Sequence, residues 1–121
     1  MSFRDLPTVA LKVDGRMTRL RVYEASRFLA RARGLLGGEP LQPDEALWIH
    51  PCGSVHTIGM RYALDLVFVD RGQRVLCVKQ HIEPLRFSGH ARARSTLELL
   101  AGTAALLSIS PGARLETVVT S

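Results

Sequence analysis

The stretch Ile49 to Asp70, I-H-P-C-G-S-V-H-T-I-G-M-R-Y-A-L-D-L-V-F-V-D, decides the fold. Its second half, Leu64 to Val69, is an apolar run of strand length that ends at the turn residues Asp70-Arg71-Gly72-Gln73, and such a run reads as an inner strand covered on both faces. Its first half packs His50, Pro51, Cys52, His56 and Met60 into a loop. A buried strand that begins beside such a loop brings polar side chains to the lip of the core, where a pocket can be floored. Asp65 is the most informative residue here. It shares one strand face with Val67 and Val69, while Leu64, Leu66 and Phe68 take the other. A carboxylate in that setting must be hydrogen-bonded or paired, because an unanswered buried charge is costly to desolvate.

Working outward, Ala46 to Ile49, with Trp48, is a second strand buried on both faces that stops at Pro51, and Val75 to Lys79 is a third. These three runs are expected to form the heart of a sheet. Upstream, Thr8 to Val13 and Met17 to Tyr23 alternate apolar and polar residues around Asp14-Gly15, a strong hairpin signal because a tight turn requires positive φ. From Ser26 the period changes. Phe28, Leu29, Ala32, Leu35 and Leu36 fall on one stripe of an amphipathic helix, with Ser26 as its cap and Gly37-Gly38 as its stop. Glu39 to Asp44 is a Pro-rich loop. Downstream, Gln80 to Ala93 lacks periodicity and reads as a loop over a site. Thr96 to Leu100 returns to strand, Ala104 to Ile109 is a short second helix capped by Thr103, Ser110-Pro111-Gly112 is a turn, and Arg114 to Val119 is a closing strand. About seven short strands with few helices argue for a mainly-β sandwich or partly open barrel.

At 121 residues the chain reads as one domain, residues 1–121, with 46% hydrophobic and 22% charged residues and a single core. The formal charge of +5 comes from 14 Arg and 2 Lys spread over both halves, whereas a nucleic-acid binder clusters its charge with stacking aromatics. A nucleic-acid partner is not expected. No window approaches the roughly 18 apolar residues of a membrane span. The first residues lack the apolar core of a secretory signal, so the chain is expected to be cytoplasmic. Cys52 and Cys77 are expected to be unpaired in that compartment.

An ordered set of short motifs resembles a family. Arg33-Gly34-Leu35-Leu36 closes the predicted helix, Met60 precedes Leu64-Asp65-Leu66-Val67-Phe68-Val69-Asp70, and Leu97-Glu98-Leu99-Leu100-Ala101-Gly102 comes near the end. With Pro111-Gly112 they span roughly residues 8–119, and the set is similar to the prokaryotic domain of unknown function 192. The resemblance implies a compact mainly-β fold, similar to a jelly-roll-like sandwich with a helix against it, and implies no activity or catalytic residues. The usual pattern has an aromatic residue before the Met, an amide after it and Pro before Leu-Asp; here Ile58-Gly59-Met60-Arg61-Tyr62-Ala63 fills that stretch.

The candidate site gathers His56, Met60, Arg61, Asp65, Arg94 and Glu98 as ligand-binding residues, with the loop from His81 to His90 as its rim. Glu98, flanked by Leu97 and Leu99, poses the same burial problem as Asp65. Partners for both acids include Arg61, Arg92, Arg94 and the loop histidines, or backbone N–H groups if the acids are purely structural. His50, Cys52 and His56 form H-x-C-x3-H, a weak metal pattern without a paired C-x-x-C, so neither a metal nor another cofactor is expected. The preferred expectation is a non-catalytic binding or accessory domain for a small polar ligand or an extended polymer. The alternative is a hydrolytic or metal-dependent enzyme that uses His56, Asp65 or Cys52.

Overall fold

The apolar run Leu64–Val69 is a strand whose six residues are all buried, and the sheet is built outward from it. A computed structural model describes residues 3–26, 40–51, 54–56, 62–83 and 87–120. In chain order the strands are β1 (Thr8–Val13), β2 (Arg16–Ala25), β3 (Glu45–Ile49), β4 (Ser54–His56), β5 (Leu64–Val69), β6 (Val75–Ile82), β7 (Phe87–Gly89), β8 (Ser95–Leu100) and β9 (Leu115–Val119), with one short helix, α1 (Thr103–Leu106). Seven strands form one sheet in the order β6-β5-β8-β3-β2-β1-β9, and β4 and β7 form a separate ribbon. Neighbours in the large sheet are antiparallel except for β2 and β3. A parallel pair requires a long connection, and nineteen residues stand between β2 and β3 in the sequence. Apart from Ser26, the amphipathic helix expected from Ser26 to Leu36 lies outside the described residues.

The sheet curls. Register shifts fall between Ala10 and Lys12 in β1 and at two places along β5 against β6, and each such bulge adds local twist. Curling brings the two outer strands together at one corner. Arg74 and Arg114 form a bridge there; the Val75 N–H donates to the Ala113 carbonyl (2.9 Å) and the Leu115 N–H to the Gln73 carbonyl (2.9 Å). The result is a half-barrel, which matches the partly open barrel among the expected forms. Its inner face packs Leu11, Val22, Trp48, Val67, Leu97 and Leu115, with Ala104 of α1 among them. The outer face buries Tyr23, Leu47, Ile49, Leu64, Leu66 and Phe68 under Phe3 and Leu41. Both faces of the central strands are therefore covered, so those strands show no polar alternation.

Three details differ from the sequence reading. β6 lies at an edge of the sheet, half-exposed, and β8 takes the central place between β5 and β3. The Gln80–Ala93 segment is more regular than expected, because β6 runs on to Ile82 and Phe87–Gly89 pairs with β4. The cap residue before α1 is Gly102, in a left-handed conformation, and no side-chain cap comes from Thr103.

The outer layer is held by an acid at the head of β3. Glu45 is buried (3% exposed). It accepts a two-pronged bond from Arg4, Nε to Oε2 at 2.9 Å and Nη2 to Oε1 at 2.7 Å, together with bonds from the Tyr23 hydroxyl (3.1 Å) and the Gln42 N–H (2.9 Å). Burial pushes its carboxyl up, but the bonds from Arg4, the Gln42 amide and Tyr23 outweigh that and hold it below the usual carboxylate range. The N-terminal 3-10 turn Phe3–Asp5 is thereby clamped onto the sheet, with Phe3 edge-on to Tyr23 at 5.2 Å between ring centres.

Because the folded carboxyl is the stronger acid, its contribution is complete above the pH at which an unfolded Glu ionises, and it fades as pH falls through the lower folded value. Glu45→Gln is expected to cost about 2 kcal/mol at pH 7, below the value for a wholly buried pair because Arg4 stays partly in water. Urea unfolding at a series of pH values checks this. The gap between wild type and variant should narrow as pH drops below about 4.

Candidate functional site

The half-barrel interior has two ends, and the register of β5 defines them. Leu64 faces Leu100 of β8 at one end, and Val69 faces Ser95 at the other.

Asp65 sits at the first end, fully buried. Between Leu64 and Leu66 the partner strand carries one extra residue, since Leu64 pairs with Ile82 but Leu66 with Lys79. A bulge of this kind leaves a ladder N–H without its usual acceptor. The His81 N–H donates to Asp65 Oδ1 at 3.0 Å, and His81 adopts the positive φ (54°) of an irregular backbone. The other oxygen, Oδ2, accepts from the N–H groups of Gly102 and Ala104, each at 3.0 Å. These donors belong to the first turn of α1, which has no acceptors of its own within the helix. Asp65 thus caps α1 from across the core. It answers the burial problem with three main-chain amides and no arginine. Both oxygens are engaged, so this acid works as an acceptor that joins β5, β6 and α1.

The other end is open. Here a pocket of about 460 Å³ is lined by residues that include Glu24, Trp48, His50, Arg71, Arg94 and Ser95. The inner-face alternation explains why they converge. Glu24 continues the inward series of Leu20 and Val22, His50 continues that of Trp48, and Ser95 precedes Leu97 and Leu99 on the same face. Trp48 is buried, and its indole N–H donates to Ser95 Oγ at 2.8 Å. The hydroxyl proton of Ser95 is not used in that bond. His50 stands beside Trp48, with ring centres 6.0 Å apart, and its Nε2 lies 3.8 Å from Glu24 Oε2. Arg94 is exposed at the rim, fixed by its N–H to the Val69 carbonyl (2.8 Å). Asp70 closes the β5–β6 turn, its Oδ1 accepting from the N–H groups of Gly72 (2.8 Å) and Arg74 (2.9 Å).

The residues named from sequence are thus divided. Arg94 and His50 line this pocket; Asp65 lies at the opposite end. Glu98 is buried on the outer face of β8, level with Leu47 and Leu66. Met60, Arg61 and Cys52 lie outside the described residues, and for His56 only the β4 backbone is described. Cys77 is an unpaired thiol. Among the described residues no three His, Cys, Asp or Glu side chains gather as a metal site requires, and no helix is long and apolar enough to cross a membrane. Sequence reasoning missed Glu24, Ser95 and Glu45. The signal for Glu24 was present, because a charged residue that extends an inward apolar series must reach the end of the core.

Comparison with known proteins places this architecture. The model of the DUF192 family, described as Uncharacterized ACR, matches residues 9–117. Among solved structures, a candidate transcription regulator from Sinorhizobium meliloti 1021 superposes with a TM-score of 0.80 at 22% identity, covering 97% of this chain and 96% of that one. A protein of unknown function from Novosphingobium aromaticivorans gives a TM-score of 0.76 at 25% identity, covering 92% and 86%. No curated protein matches the chain.

Asp65→Asn replaces an acceptor by an NH2 group that meets a main-chain donor head-on. The expected cost is about 3 kcal/mol, the scale of a lost charged hydrogen bond plus an unsatisfied buried amide. Arg94→Ala, at an exposed rim position, should stay within about 0.5 kcal/mol of wild type. Denaturant midpoints of the two variants measure the contrast.

Proposed function

The chain belongs to the DUF192 family, and we propose that it serves as a non-catalytic binding or accessory domain that takes a small polar ligand into the open end of its half-barrel. The single observation that carries this reading is the division of labour between the two ends. At one end α1 packs against β5 and β8, and the buried carboxylate is consumed in main-chain bonds. The other keeps a hollow whose floor is a buried Trp48 and whose walls carry side chains of both charges. A concave site with an aromatic floor and a few convergent polar groups is the usual form of a small-molecule pocket. A volume of about 460 Å³ suits a metabolite-sized ligand.

In this reading Arg94 and His50 touch the ligand, and Asp65 holds the scaffold that shapes the hollow. The buried Glu98 belongs with that scaffold. The hydrolytic alternative would draw on His56, Asp65 or Cys52. Asp65 has both oxygens committed to N–H donors, and a general base needs a lone pair within reach of its substrate.

Trp48 is the chain's one tryptophan, so its emission reports on the pocket directly. A thermal-shift panel of amino acids, dicarboxylates, sugars and nucleosides should give at least one compound that raises the Tm by mass action. The same compound should change Trp48 emission, and Arg94→Ala should abolish both effects while the far-ultraviolet spectrum is unchanged. A compound that raises the Tm without touching Trp48 emission, or a panel without any response, would contradict the reading.

A further inference from the structure

We propose that the ligand of the open end is a small zwitterion, a molecule with a carboxylate and an ammonium group, of which free amino acids are the simplest class. The inference rests on the binding reading above and deepens it.

The charges around the pocket are sorted by strand. Arg94, just before β8, and Arg71, in the β5–β6 turn, both line the pocket and flank the neighbouring strands β8 and β5, which make one wall. Among the described residues, neither guanidinium has a hydrogen bond or ion pair. Asp70 is on that wall too, but one of its oxygens already takes the two turn amides. The wall therefore keeps a net positive charge and several unused fork donors, which suit the planar, two-oxygen geometry of a carboxylate. Ser95 adds a hydroxyl whose proton is not used by Trp48.

Glu24, next to last in β2, stands on the other wall. The order β8-β3-β2 puts its strand two spacings from that of Arg94, about 10 Å at the backbone, with long side chains leaning inward from both. His50 Nε2 lies 3.8 Å from Glu24 Oε2, beyond hydrogen-bond length, so that oxygen retains capacity for a donor. A ligand with an anionic and a cationic end satisfies both walls at once. A dicarboxylate would set its second charge against Glu24, and a neutral sugar would leave both walls uncompensated.

Titration of Trp48 emission with free α- and ω-amino acids tests this, alongside their N-acetyl derivatives, which lack the ammonium, and their amides, which lack the carboxylate. At least one free amino acid should bind, with both derivatives at least tenfold weaker. Glu24→Gln should erase the preference over the N-acetyl form, and Arg94→Ala the preference over the amide. Circular dichroism and melting of both variants establish that they fold. An N-acetyl form or a sugar that binds as well as the free amino acid overturns the zwitterion while the binding reading stands. If no compound in this set or in the broader panel binds, both fall.

Discussion

One buried carboxylate with three N–H donors holds the architecture together. Asp65 could not enter an apolar strand without acceptor work to do, and the work comes from two irregularities: a bulge in β6 that frees the His81 amide, and a four-residue helix whose own cap residue, Gly102, has no side chain to offer. A helix this short has little stability of its own. Its position over β5 and β8 follows from that carboxylate and from Ala104 packing into the core. With α1 seated, Ala104 packs among the inner-face residues at that end. The two ends thus differ, with α1 at one and the pocket beside Trp48 at the other.

Glu45 plays the corresponding part on the outer face. Its ionised form is held by Arg4, the Gln42 amide and Tyr23, and it fastens the N-terminal turn over the layer that contains Leu47 and Ile49. Both acids sit on strands buried on both faces, and both are satisfied within the fold. The pocket acid differs. Glu24 is half-exposed, and a histidine nitrogen lies 3.8 Å from its carboxylate.

Much of this was legible in the residues. The hairpin at Asp14-Gly15 appears with positive φ at both positions, and the doubly apolar runs at 46–49 and 64–69 are buried throughout. The need of Asp65 for partners could be read, because burial of a charge is a local fact of composition and pattern. Which groups would answer it could not, since His81 and Gly102 reach Asp65 only through a bulge and a crossover that no local period encodes. The same limit applies to strand order. β6 and β8 are similar apolar runs in sequence, and only long-range pairing puts β8 in the centre and β6 at the edge. The open end was half legible. Arg94 and His50 were singled out for other reasons, whereas Glu24 became a pocket residue only when β2 proved to run on to Ala25.

If Asp65 is the contact that seats α1, the amides it accepts are among the best protected in the molecule. Native-state hydrogen exchange of the His81, Gly102 and Ala104 N–H groups reads this directly. The account predicts exchange only through global unfolding, with the same opening free energy as the β5 and β8 amides. Exchange of these three at the rate of exposed turn amides, while β5 and β8 stay protected, would contradict it.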